Sequence, residues 1–468
     1  MKARDLIRLG YPEGPILGTA RAAAGEARLS GLSTHQVKSK LAHLLREPER
    51  FKDNAIFGKL AAAVIEAKPP EPPMEIVHYE RPAELHYAVW GEDIDPDAHR
   101  QMRNACALPI SVAGALMPDA HVGYGLPIGG VLATDNAVIP YAVGVDIACR
   151  MMMTVFELPP EKLKEDDYRY KIILEEQTRF GVGSEWKPKR QHPVMDEDWH
   201  VSRITAAIKD LAHKQLGTSG SGNHFVEFGE LELMEAVLGV PPGRYLAVLS
   251  HSGSRGPGNK IAMHYSRWAM SQHKSMPKEL RHLAWLDMDG DGQEYWAAME
   301  LMGKYASANH HVIHRQIVAA VGEPPLLQVE NHHNFAWRER HGGREVIVHR
   351  KGATPADPGV LGIIPGSMAA PAYLVEGLGD ERSLRSAAHG AGRRLSRSAA
   401  FKQFKWPQVK RYLAEKGVTL LSAGLDEAPW VYKDIDAVMA AQKDLVRPLA
   451  KFTPRIVKMS PAGERPED

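Results

Sequence analysis

Short apolar runs at 130–133, 151–156, 245–249, 326–329 and 345–348, four to six residues each, alternate with longer stretches whose apolar residues recur three and four apart. Runs of that length between glycine-rich turns suit strands, and the 3.6-residue period of 201–216, 261–273, 294–321 and 434–446 predicts helices. The mixture predicts an α+β body. Ahead of it, 34–44, capped by Thr34, and 56–67 repeat apolar residues at helical spacing, which predicts a short helical N-terminal extension. The segment KPPEPP at 68–73 holds four prolines, so it cannot continue a helix and favours an extended linker. We therefore read 1–73 as helical extension and linker, 74–458 as one large body, and 459–468 as a polar tail expected to be disordered.

Composition closes off several function classes. A net charge of +1 gives no global positive field, so any polyanion must be held by a local patch. The two cysteines, Cys106 and Cys149, suit a reducing compartment, where a thiol is a metal ligand or a small apolar core group; Cys106 reads as core. Residues Met1 to Asp5 lack the apolar stretch of a signal peptide, and no run of 18 apolar residues occurs, which predicts a cytoplasmic protein with no membrane span. Walker A, G-x-G-x-x-G and K-x-D-G are all absent, so a bound nucleotide would need another fold. The acidic segment from Asp287 opens like a calcium loop, but its twelfth position is Ala298, not glutamate; it reads as a loop capping a helix that starts near Glu294.

Histidines fall where chemistry collects. His251 closes YLAVLS, His333 follows LLQVEN, His349 closes EVIV, and His224 ends the loop GTSGSGN; strand ends feeding loops are the usual place for active-site groups. Singly, each is more commonly a hydrogen-bonded core residue. Asp146 and Cys149 add a carboxylate and a thiol three residues apart. Thiolate, imidazole and carboxylate together suit a borderline ion such as zinc, manganese, iron or cobalt, and their scatter along the chain suits a catalytic site more than a structural finger. Three glycine-rich stretches, at 217–223, 251–259 and 389–397, are either tight turns or backbone nests for phosphate.

Nine ordered blocks resemble the RtcB family of RNA ligases: MPDAHVGYGLPIGG (117–130), GVDIACR (144–150), GTSGSGNHFVE (217–227), HSGSRG (251–256), HHNFA (332–336), HRKGA (349–353), PGSM (365–368), HGAGRRLSR (389–397) and DEAPWVYKDIDAVM (426–439). The resemblance implies a single large α+β catalytic fold with a central metal-containing cleft, two Mn2+ ions and GTP. It implies joining of an RNA 2′,3′-cyclic phosphate or 3′-phosphate end to a 5′-hydroxyl end, in tRNA splicing or RNA repair, through a guanylylated histidine and an RNA-3′-linked GMP. On this resemblance the metal ligands are Asp146, Cys149, His224, His251 and His333, with Cys149 bridging, and His389 is the nucleophile. Guanine-nucleotide contacts are Asn223, Glu227, Asn334, Ser367, His389, Gly390, Ala391, Gly392 and Lys458; Asp119, Arg255, Lys351 and Tyr432 support the cleft. Arg393, Arg394 and Arg397 either follow an RNA backbone or form a solvated face. Arg150 stands where the family usually has glycine, beside the metal site, a change expected to alter access or substrate. The competing readings are a manganese-dependent RNA-end phosphoesterase and an RNA-end binding homologue; protein partners are unassigned.

Overall fold

The computed structural model describes residues 3–11, 14–67 and 85–464. The proline-rich linker and the boundary after residue 73 lie outside the described residues. Chain contacts divide the molecule into two compact units, Met1–Val77 and His78–Asp468.

The first unit is helical. Helices Pro15–Leu29, Thr34–Arg46 and Gly58–Ala67 carry small and branched apolar residues on their inner faces, and Ala20, Ala24, Ala27, Leu41, Leu44, Phe57 and Leu60 close one core. The cap expected at Thr34 is one residue earlier: Ser33 accepts from the Gln36 amide while the Gln36 side chain accepts from the Ser33 amide, a reciprocal capping box.

The second unit mixes helices with two main sheets, the α+β architecture expected. A five-stranded sheet has the order Ala88–Val89, Ser111–Tyr124, Leu126–Thr134, Arg344–Lys351, Phe335–His341. An eight-stranded sheet runs Leu361–Pro365, Ala372–Gly377, Val446–Met459, Phe225–Leu233, Gly243–Ser252, Arg150–Phe156, Pro325–His332, with Thr419–Ser422 pairing the long Val446–Met459 strand. Period-two alternation sorts its faces. Met151, Met153 and Val155 point into a core with Leu249, Val329, Leu374 and Phe452. Phe156, Phe228, Leu246 and Val248 point the other way, against Tyr170 and Leu174 of helix Asp167–Gln177 and Ile313 and Ile317 of helix Gly292–Val321.

Each expected strand core lies inside an observed strand, and three of the four expected helices nearly coincide with observed ones: Arg203–Gln215, Arg255–Gln272 and Gly292–Val321. The second starts earlier than expected, so Arg255–Asn259 of the glycine-rich stretch at 251–259 is helical. The fourth, Ile435–Ala441, stops short because Val446 begins a strand. Asp291 precedes the long helix without capping it; its carboxylate accepts from Gln272 Nε2 at 2.5 Å. Met459 completes the last strand and is buried with Ser460, and the Glu464 carboxylate accepts from the Val182 amide at 3.0 Å, so the start of the expected tail is packed. Among the described residues no helix is long and apolar enough to cross a membrane.

Candidate active site

Four neighbouring strands of the eight-stranded sheet bring the scattered donors together. Antiparallel register pairs Phe225 with His251, His251 with Met151, and Arg150 with His332. Adjacent strands lie about 4.8 Å apart, so His224, just before Phe225, His251 itself, Cys149, just before Arg150, and His333, just after His332, meet at one end of the sheet. Asp146 joins them from the turn that leads into Cys149. Gly253 is obligatory there, because a Cβ on it would sit 2.1 Å from Asp146 Oδ2.

The contacts are short. Cys149 Sγ lies 3.4 Å from His224 Nε2 and 3.1 Å from His251 Nε2; His251 Nε2 lies 3.3 Å from His333 Nε2, and His224 Nε2 3.2 Å from Asp146 Oδ2. Second partners fix the tautomers. His224 Nδ1 faces the Ser219 carbonyl at 2.8 Å and His251 Nδ1 the Asn223 carbonyl at 3.3 Å. A carbonyl only accepts, so each Nδ1 carries the proton and each Nε2 turns a lone pair inward. Burial pushes His251 down to about 3, with the His224 charge adding to it, and holds His333 well below the usual imidazole range, so both rings are neutral and able to ligate. Lone pairs facing a thiol and a carboxylate at these distances fit a metal ion. The donors form two triads, Cys149–His251–His333 and Asp146–Cys149–His224, which share Cys149; within each triad the ligand atoms lie within 4.8 Å of one another.

His389 stands beside this cluster, its ring centroid 4.8 Å from that of His333. It follows strand Ser386–Ala388 and directs Nδ1 at Asp119 Oδ2, 2.7 Å away, while its amide donates to the same oxygen at 3.3 Å. The carboxylate, fully buried, accepts the Nδ1–H hydrogen bond, which leaves Nε2 with a free lone pair. Gly392 permits the approach: a Cβ there would lie 2.0 Å from the Asp119 carbonyl oxygen.

A cavity of about 860 Å³ is lined by all five cluster residues and His389, and by Asn223, Glu227, Asn334, Lys351, Ser367, Gly390, Ala391, Gly392 and Tyr432. Burial drives the Glu227 carboxyl well above its ordinary range and lowers Lys351 to about 7. Lys458 does not line the cavity. Its ammonium donates to the Leu174 and Glu175 carbonyls at 3.0 and 3.2 Å and pairs with the Glu175 carboxylate at 3.1 Å, closing the end of helix Asp167–Gln177. Arg255 is buried beside the loop at 217–223, with Nε 3.4 Å from Thr218 Oγ1. Arg150 also lies off the cavity wall, its guanidinium pairing with Glu330 at 3.0 Å and donating to the Gly303 carbonyl at 3.4 Å. Of the three arginines after His389, Arg393 and Arg397 pair with Glu427, and Arg397 also reaches Asp426 at 2.7 Å. Arg394 is exposed at the cavity lining and makes no ion pair among the described residues.

Two supporting groups were not anticipated. Asn309 accepts from the Gly217 amide at 2.7 Å and donates to the Thr218 carbonyl at 2.9 Å, bracing the loop before His224. From the same helix a buried chain runs one way: Gln328 Nε2 to Thr154 Oγ1 at 2.8 Å, Thr154 to His314 Nδ1 at 2.7 Å, His314 Nε2 to Ser250 Oγ at 2.8 Å, Ser250 to His310 Nδ1 at 2.9 Å, and His310 Nε2 to the Ser252 carbonyl at 3.0 Å. It fastens the strand that carries His251 to the helix behind it. The signal was available, as N-H-H-x-x-H at 309–314 within an otherwise apolar helical period.

A family model described as "tRNA-splicing ligase RtcB" matches residues 101–213 and 173–459. The chain is 34% identical over 388 residues to the RNA-splicing ligase RtcB of Escherichia coli K12, covering 76% of this chain and 92% of that protein. It is 32% identical over 430 residues to the Mycobacterium tuberculosis RNA-splicing ligase RtcB, covering 76% and 98%. It is 30% identical over 446 residues to the Methanococcus maripaludis tRNA-splicing ligase RtcB, covering 80% and 92%.

Proposed function

Because the chain belongs to the RtcB family and is an RNA ligase, we propose that it joins an RNA 3′-phosphate or 2′,3′-cyclic phosphate end to a 5′-hydroxyl end with GTP and Mn2+. The observation that supports this reading most is the His389–Asp119 pair beside the five-donor cluster. With Nδ1 engaged, His389 Nε2 attacks the α-phosphorus of GTP; an N–P bond forms, the α–β anhydride breaks and diphosphate leaves. The imidazolium-like phosphoramidate is a good leaving group, so an RNA 3′-phosphate oxygen displaces the histidine and takes GMP. The 5′-hydroxyl then attacks the RNA phosphorus, and GMP departs. Two Mn2+ ions, held by Cys149, His251 and His333 and by Asp146, Cys149 and His224, would neutralise phosphate charge and align the displacements.

Asp119 orients the His389 ring by accepting from its Nδ1–H, which fixes the tautomer and keeps Nε2 nucleophilic. Asn223, Glu227, Asn334, Ser367 and the Gly390–Ala391–Gly392 backbone are the guanine-nucleotide contacts in this reading; Lys458 is left out, as it faces helix Asp167–Gln177. Residues 74–458 act as the catalytic body in the cytoplasm, with 1–73 accessory to it.

The test is to mix the protein with Mn2+ and α-labelled GTP and look for acid-labile, protein-bound label. The wild type takes label and His389→Ala takes none. Label on His389→Ala would move the nucleophile elsewhere. End opening without label or joining would favour the phosphoesterase reading.

A further inference from the structure

The rim of the cavity carries an aromatic surface that the three transfer steps leave unused. Tyr124 ends strand Ser111–Tyr124, lines the cavity and is 66% exposed, an unusual setting for a large ring beside a buried polar centre. Behind it stand Tyr141 and His282: ring centroids are 6.3 Å from Tyr124 to Tyr141, 5.6 Å from Tyr124 to His282, and 4.6 Å from Tyr141 to His282. The group is held in place by its backbone. The buried Lys351 ammonium donates to the Tyr124 carbonyl at 2.6 Å and the Tyr141 carbonyl at 3.1 Å, and sits 5.4 Å from the Tyr141 ring centre. Gly125, at φ +72°, turns the chain so closely over His282 that a Cβ would lie 2.7 Å from the His282 carbonyl oxygen. An exposed ring on an anchored backbone gives flat apolar area at low ordering cost.

Resting on the RNA ligase reading, we propose that Tyr124, backed by Tyr141 and His282, is a stacking shelf for the nucleobase of a terminal RNA nucleotide whose phosphate or hydroxyl enters the cavity. A base at an RNA end is unpaired and exposes both faces, and stacking on an aromatic ring accepts any base. That suits an enzyme that must hold ends of varied sequence. The lysine that fixes both tyrosine backbones also lines the reaction cavity, so a base on the shelf is in register with the chemistry.

The experiment uses the full-length protein and RNA with 2-aminopurine at the 3′-terminal position in one arm and at the 5′-terminal position in the other. Stacking quenches 2-aminopurine, so wild-type protein should quench at least one arm, Tyr124→Ala should lose that quench, and Tyr124→Trp should restore it. In ligation assays Tyr124→Ala should raise the RNA KM between about fivefold and about a hundredfold, the span of base–aromatic stacking in alanine substitutions, with a smaller effect on kcat. Quenching in neither arm, or an unchanged RNA KM in Tyr124→Ala, overturns the shelf. A raised GTP KM with an unchanged RNA KM also overturns it, by giving the ring to guanine. Failure of the ligase reading looks different: wild type would take no GTP label and join no ends whatever stands at position 124.

Discussion

Lys351 is buried among carbonyls, with its ammonium lowered to about 7 from the ordinary lysine value of 10.5 by burial. Between those two values the unfolded chain binds the extra proton and the folded chain does not, so stability must rise with pH across about 7 to about 10.5. Lys351→Met lacks this contribution. Urea unfolding of wild type and variant at pH 7.5 and pH 10 should show the wild type gaining on the variant by an amount on the order of a few kcal/mol; parallel pH profiles would contradict a depressed lysine. A second residue-scale prediction separates the nucleophile from the metal donors. His389→Ala should neither take label from GTP nor join ordinary ends, yet still join RNA whose 3′-phosphate already carries GMP. His251→Ala should fail on both substrates and bind less manganese by equilibrium dialysis. Equal behaviour of the two variants would merge roles that the geometry keeps apart. His251 was legible because it closes an apolar run, where a lone polar group stands out, whereas His389 was assigned from the family resemblance alone. His310, His314 and Asn309 were not legible, because polar residues on a long helix read first as its wet face, and only the partner strand reveals that they are buried.

Among elements, the short loop and helix after His389 decide how the cavity meets a polyanion. The sequence offers three arginines there, but charge on a page says nothing about partners. Glu427, itself buried and pushed above its usual range by burial, accepts from Arg393, Arg397 and Tyr432. Two of the three positive charges are therefore committed to holding this segment against 425–432. Of the three, Arg394 alone is exposed without an ion pair among the described residues. Arg394→Ala should weaken RNA binding about equally for all sequences and lower the slope of log affinity against log salt by about 1. Arg397→Ala should instead lower thermal stability, because it strips a buried carboxylate of a partner; a salt slope that falls in Arg397→Ala and not in Arg394→Ala would reverse the assignment. Strand recognition failed for a related reason. Ser111–Tyr124 contains Pro118, Asp119 and three glycine or histidine positions, and its pairing with Leu126–Thr134 shifts register between Leu116 and His121. Val446–Met459 holds Pro448 and Pro454 and shifts beside Pro454. Bulges tolerate residues that the alternating pattern forbids, so neither strand stands out as an apolar run, although one delivers Asp119 to the histidine. Lys458, read as the last residue of the body and given a nucleotide contact by the resemblance alone, is a strand residue facing a helix.

At the scale of the molecule, the helical unit and the ligase body rest on separate cores. The first is closed mainly by alanines and leucines of three helices, with Phe57 and Tyr11 as its largest buried side chains; the second is built on two sheets and contains every residue assigned to the reaction. The share of surface buried on folding rises with size, from about 60% near 60 residues to about 75% near 300, so the helical unit, Met1–Val77, should be the weaker of the two. Urea unfolding of the full chain, followed by far-ultraviolet circular dichroism, should then lose helix in a first step before the main transition. A chain that starts at His78 should lack that first step, keep the main transition, and take label from GTP at a rate within about twofold of the full protein. RNA affinity is free to change in this variant, since the claim concerns only where the guanylyl chemistry is assembled. A shortened chain with the native sheet signal and normal manganese binding, yet no label, would mean that the helical unit completes the GTP site. In that case the reaction would depend on both cores, and the assignment of His389, Asp119 and the five donors as a self-sufficient centre would have to be given up.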